Sequence, residues 1–142
     1  MATYDPQKVS LSVAGNTITG YAAGTFIKAT RNEDGWMLTI GADGGGARTR
    51  NANKSGRVEI TLLASSPSND VLQAQAIVDE LEATGVGPLL VKDGSGTAVA
   101  SAGNSWIVKH PDLERGKELG EITWIIETEA LAIQNGGTTQ IP

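Results

Sequence analysis

The stretch RVEITLLASSPSNDVLQAQAIVDELEA, residues 57–83, decides the fold. It opens with strict alternation: Val58, Ile60 and Leu62 face one way, and Arg57, Glu59 and Thr61 the other, the period of a half-buried β-strand. The period then changes. Ser66 suits a helix cap, Pro67 the first helical position, and Asp70 the positive end of the helix dipole. Val71, Leu72, Ala74, Ile77, Val78 and Leu81 fall on one side of a helix running to about Ala83 and ended near Gly85. That apolar side, with Val71, Ile77, Val78 and Leu81, is expected to cover a sheet.

On either side of this stretch the chain reads as strand. Val9, Leu11 and Val13 alternate with Lys8, Ser10 and Ser12, and Gly15-Asn16 supplies a turn. Residues 17–19, 21–23 and 25–30 are rich in Thr, β-branched and aromatic residues, divided by Gly20 and Gly24, and Trp36 to Ile40 resumes the pattern. Pro88 to Lys92 and Thr97 to Ala100 flank Asp93-Gly94-Ser95-Gly96 as a hairpin, Ser105 to Lys109 adds a strand, and Glu121 to about Ile133 reads as one long strand. Residues 41–56, with five glycines and few apolar side chains, are expected to form a long flexible loop, and loops of that length are usually functional or disordered. The reading is a mainly β, antiparallel sandwich or barrel-like domain with one flanking α-helix, spanning residues 1–142 without an internal linker.

Composition excludes several chemistries. The 142 residues contain no cysteine and one histidine, so thiolate metal sites, disulfides and multi-His centres are absent. Lys54-Ser55 resembles the end of a P-loop, but the glycine positions of that motif fall on Arg48 and Asn53, and no helix follows. Ser105 lies in a strand rather than at a nucleophile elbow, and Asp93 to Thr97 lacks the glycine and glutamate of a calcium loop. His110, before Pro111, reads as a solvated loop residue. No catalytic residue, cofactor or metal is therefore expected. Trp36, Trp106 and Trp124 could stack on sugars, which keeps a monomeric ligand- or carbohydrate-binding β-sandwich as the alternative, but each lies in an apolar strand, where core packing is the better reading. Neither a signal peptide nor an apolar run of membrane-spanning length is visible, and a soluble chain made in the cytoplasm with no membrane partner is expected.

Charge is patterned more tellingly. The net charge of −5 disfavours tight nucleic-acid binding. Residues 41–57 nevertheless carry Arg48, Arg50, Lys54 and Arg57 against Asp43 alone, while 58–91 hold Glu59, Asp70, Asp79, Glu80 and Glu82 with no base. A basic segment on an acidic domain suggests attraction between one copy and the next, as in a stacking assembly.

Several runs also carry a resemblance. Met1-Ala2-Thr3-Tyr4-Asp5-Pro6, Gly24-Thr25-Phe26-Ile27, Arg31-Asn32-Glu33-Asp34-Gly35-Trp36, Asn53-Lys54-Ser55-Gly56, Ser65-Ser66-Pro67-Ser68-Asn69-Asp70-Val71-Leu72 and Gly120-Glu121-Ile122-Thr123-Trp124 resemble, in the same order, tail tube proteins of contractile-tailed bacteriophages. The resemblance implies six subunits closing a ring whose inner strands form a shared β-barrel, and rings stacking into a conduit for tape-measure protein and then DNA. It implies partners in the tail sheath, baseplate and tail terminator, and a place in the virion tail after assembly in the bacterial host cytoplasm. On that reading Asp43, Arg48, Arg50 and Lys54 form an inter-ring contact loop. Glu59, Glu127 and Glu129 line a non-adhesive lumen, and Asp79, Glu80 and Glu82 face the sheath.

Overall fold

The alternation at Val58, Ile60 and Leu62 is realised in full: all three are completely buried, in a strand paired on both edges. The computed structural model describes residues 1–138, so the last four residues of the expected domain lie outside it. Its strands are β1 (Val9–Val13), β2 (Asn16–Ile18), β3 (Ile27–Arg31), β4 (Trp36–Ile40), β5 (Gly46–Arg50), β6 (Gly56–Leu63), β7 (Gly87–Asp93), β8 (Val99–Ile107), β9 (Glu121–Thr128) and β10 (Ala132–Gln134), with helix α1 (Ser68–Glu82) between β6 and β7.

The main sheet runs β2-β1-β7-β8-β9-β6-β3, with β10 also on β8, and every pairing is antiparallel. Strand β8 holds it together by changing partners along one edge: Val99 to Ser101 face β10, and Ser105 to Ile107 face β9. A register shift between Gly87 and Leu89 of β7 lies opposite that change. The two halves therefore curl around one core, built from Leu11, Val13, Ile18 and Leu89 on one side and Val58, Ile60, Trp124 and Ile126 on the other. Thr97–Ala100 and Ser105–Lys109, expected as two strands, are thus mostly one. The expected long strand from Glu121 to Ile133 is two, because the chain turns after Thr128 to bury Leu131, whose amide donates to Lys54 O at 2.8 Å.

A polar clamp fixes the helix. Ser66 Oγ accepts from Ser68 N at 3.2 Å and donates to Thr19 O, while Ser68 Oγ accepts from Thr19 N at 2.9 Å. Asn69 Nδ2 donates to Leu63 O and Ser66 O, and its Oδ1 accepts from Trp124 Nε1 at 2.9 Å. Gly20, at φ +77°, allows the close approach, since a Cβ there would meet Ser66 Oγ at 2.5 Å. At the other end Asp79 Oδ1 accepts from Gly85 N at 3.1 Å, and Gln75 Nε2 donates to Gly85 O.

These anchors rotate α1 away from the expected orientation. The side packed on the sheet carries Ser68, Leu72 and Ala76, with Gln75 and Asp79 alongside. Val71, Ile77, Val78 and Leu81, expected to cover the sheet, are 38%, 43%, 42% and 79% exposed. The polar bonds at both helix ends decided the rotation, and the apolar stripe was left outward.

The segment 41–56 also corrects its reading. Residues Gly46 to Arg50 are a strand, paired with β4 from Trp36↔Arg50 to Ile40↔Gly46, so the expected loop is half of a hairpin.

Candidate assembly interface

Residues 27–63 form one long antiparallel excursion. Its base is the β3–β6 pairing at the sheet edge, Ile27↔Ile60 to Arg31↔Gly56. Beyond Arg31 the ladder is interrupted, and asparagines bridge the gap through backbone and side-chain bonds. Asn32 N donates to Ser55 O at 3.1 Å, Asn51 N to Gly35 O at 2.8 Å, and Asn51 Nδ2 to Glu33 Oε2 at 2.8 Å, while Asn53 Oδ1 accepts from Ser55 N at 2.9 Å. Apart from Asn51, these residues belong to the Arg31–Trp36 and Asn53–Gly56 runs, which thus act as a structural joint. The β4–β5 arm follows, closed by Gly41 to Gly45, where Gly44 takes φ +86° and Asp43 Oδ1 accepts from Gly45 N at 3.0 Å.

The arm has two strands and no third, and every residue in both is exposed. One face carries Trp36, Leu38 and Ile40 opposite Arg50, Arg48 and Gly46. The Arg48 guanidinium lies 4.0 Å from the Trp36 ring centre and that of Arg50 5.1 Å, a cation–π stack on an exposed surface. An isolated two-stranded ribbon is marginal in water, and a row of large apolar side chains on it calls for a covering partner. The β4 exposure corrects the core reading of Trp36, which is 46% exposed. Trp124 is buried and Trp106 half-buried.

The structure separates the expected site residues into distinct places. Arg48 and Arg50 share the apolar face of the arm, Asp43 holds its turn, and Lys54 sits at the joint. Glu59 and Glu127 project from the β3–β6–β9 face opposite the core, with Lys28 and Arg57, and Glu127 pairs with Arg57 at 3.4 Å. Glu129 lies beyond β9, accepting from Asn104 Nδ2 at 2.9 Å. Asp79 is engaged by Gly85, Glu82 is exposed, and Glu80 accepts from His110 Nε2 at 3.0 Å. His110 also meets Gln73 at 2.7 Å, so it is docked on the helix rather than freely solvated.

Sequence reading missed two surfaces, the strand β5 and the outward stripe of α1. A signal for the second was present: Ser68, Leu72, Gln75, Ala76 and Asp79 also recur at helical spacing, and small or polar residues there suit close, hydrogen-bonded docking. Among the described residues no cluster of His, Asp and Glu could hold a metal ion, and no helix is long and apolar enough to cross a membrane. A cleft of about 550 Å³ between Val9, Phe26, Ile27, Val91, Val99 and Ile133 carries no catalytic grouping.

The chain matches the family described as "Bacteriophage PhiTE tail tube protein" over residues 1–136. It is 26% identical over 148 aligned residues to "Structural protein ORF10" of Pseudomonas phage KPP10, covering 99% of this chain and 86% of that one. Its fold is similar to the tube-terminating cap of the anti-feeding prophage (TM-score 0.65, 8% identity, 94% of this chain and 92% of that chain). It is also similar to the sheath/tube terminator of the PVC extracellular contractile injection system (TM-score 0.68, 8% identity, 95% and 99%). The match over nearly the whole sequence shows that the chain belongs to the PhiTE-type bacteriophage tail tube protein family, as a structural component of the virion tail and not an enzyme.

Proposed function

We propose that the whole chain acts as one domain, that six copies close a ring through their sheets, and that rings stack into a hollow tube through which tape-measure protein and then DNA pass. The observation that carries this reading is the β4–β5 arm: an exposed apolar and cationic ribbon with no covering surface in its own subunit. The contractile-system neighbours, a tube cap and a sheath/tube terminator, support contacts with sheath and terminator, and the tube ends would meet terminator and baseplate.

The lumen is assigned to the β3–β6–β9 face opposite the core. That face presents Lys28 and Arg57 against Glu59, Glu121 and Glu127, with Thr30, Thr61 and Thr123 and the half-buried Leu63 and Ile125 between them. A weakly acidic, hydroxyl-rich wall raises the free energy of a bound phosphate backbone and offers no basic groove, so DNA slides without adhering. Glu59 remains the strongest lumen candidate. Glu127 is partly neutralised by Arg57, and Glu129 sits at the margin of the wall. Of the three acids proposed to face the sheath, Asp79 is turned to Gly85, which leaves Glu80 for that contact and Glu82 at the border of the apolar stripe.

The test is removal of the arm. Asn51 N already bonds Gly35 O, so the chain closes there with a two-glycine turn in place of residues 36–50. Negative-stain microscopy should show tubes from the intact chain, and only folded single subunits or rings from the shortened one. Normal tubes without the arm would overturn the reading.

A further inference from the structure

Two surfaces left uncovered in this subunit match each other. We propose that the Trp36–Leu38–Ile40 face of one subunit's arm seats on the outward stripe of α1 in a second copy of the chain. The inference rests on the self-assembly reading and names the receiving surface.

The lengths agree. Trp36 to Ile40 spans about 13 Å of strand, and Val71 to Leu81 about 15 Å of helix. Both faces are apolar along their centres: Trp36, Leu38 and Ile40 on the arm, and Val71, Ala74, Ile77, Val78 and Leu81 on the helix. Their charges are opposite. The arm face carries Arg48 and Arg50, and α1 carries Asp70, Asp79, Glu80 and Glu82 without a single base.

The helix C-terminus sets the direction. Its last turn holds no basic residue, and Glu80 and Glu82 add negative charge where the helix dipole is already negative. Within one subunit that arrangement is unfavourable, and His110 relieves it only at Glu80. A cation from outside relieves it at Glu82. The arginine-bearing end of the arm, beside Trp36, therefore lies over the C-terminal turn of α1, placing Trp36 and Arg50 near Leu81 and Glu82, and Leu38 about one helical turn back near Ile77. The contact would bury Leu81, the most exposed apolar residue of the helix.

The chain contains no cysteine, so single cysteines report proximity cleanly. Leu38→Cys in one tagged chain and Ile77→Cys in another are mixed, assembled and oxidised. A disulfide between the two tags is expected in tubes and not in dilute subunits. Arg48→Glu with Arg50→Glu should lower its yield about tenfold, and adding Glu82→Lys should restore much of it, as expected for close interfacial charge pairs. Circular dichroism of each variant keeps folding separate from contact. Tubes in which Leu38→Cys links to a control cysteine in the cleft, Ile133→Cys, and not to the one on the helix, or links to neither, would overturn the helix assignment while leaving self-assembly intact. Wild-type chains that never form tubes would overturn both.

Discussion

Strands β4 and β6 share one sequence pattern and have opposite fates. Val58, Ile60 and Leu62 of β6 alternate with polar residues and are wholly buried, whereas Trp36, Leu38 and Ile40 of β4 recur at the same spacing, with Met37 and Thr39 between them, and are 46%, 68% and 58% exposed. Alternation states that one face of a strand needs covering and is silent about which molecule covers it. In β6 the cover is the shared core of the same chain, with Leu11, Val13, Leu72 and Leu89. In β4 it is absent from the subunit, and the proposed assembly would supply it.

Core truncation should break the comparison most strongly. Leu62→Ala should destabilise the subunit by ~2–5 kcal/mol through lost burial and a cavity. Leu38→Ala on the arm should change unfolding by no more than ~0.5 kcal/mol yet prevent tubes. Urea denaturation paired with microscopy separates the two. Next in size, Asn69→Ala should cost ~1–3 kcal/mol, because it leaves Trp124 Nε1 without its acceptor and the Leu63 and Ser66 carbonyls with only their backbone donors. It should also loosen α1, raising amide exchange in residues 68–82. A smaller effect is expected at Gly44, whose φ of +86° a side chain adopts with strain. Gly44→Ala should leave the urea midpoint unmoved and raise the protein concentration needed for assembly about fivefold or more, equivalent to ~1 kcal/mol or more in the arm turn.

The smallest effect belongs to the core side alone. Burial pushes the Tyr21 hydroxyl above its ordinary 10, partly opposed by a backbone hydrogen bond at Leu11. The folded subunit thus holds this proton more tightly than the unfolded chain. Its stabilisation is complete below pH 10 and declines as pH rises from there through the folded value. Tyr21→Phe should flatten that decline in a pH series of urea midpoints, with little change in arm-dependent assembly near neutral pH.

The parts of the fold legible in sequence were those whose partners lie within the chain. The core positions of β1 and β6, the bounds of β4 and the extent of α1 follow from periodicity and turn chemistry. Strand β5 was illegible because GARTR contains no large apolar residue, and its conformation is set by pairing with β4 and by the Gly41–Gly45 turn. The break between β9 and β10 depends on burial of Leu131 beside Gly56, a long-range contact that local pattern does not encode. The rotation of α1 was misread for an instructive reason: the polar anchors Ser66, Ser68, Asn69 and Asp79 hold the opposite side on the sheet and leave the apolar side outward, where the proposed arm contact would cover it. Arg48 and Arg50 were legible as a basic segment by charge count, but their place beside Trp36 required the hairpin register.

Amide hydrogen exchange across residues 36–50, measured in dilute subunits and in assembled tubes, tests the central claim most directly. The arm is expected to exchange quickly in the subunit, as an uncovered ribbon should, and to gain protection in the tube, while β6 is slow in both. Equal, rapid exchange of the arm in both states, in tubes verified by microscopy, would contradict the assignment of this ribbon as an assembly surface.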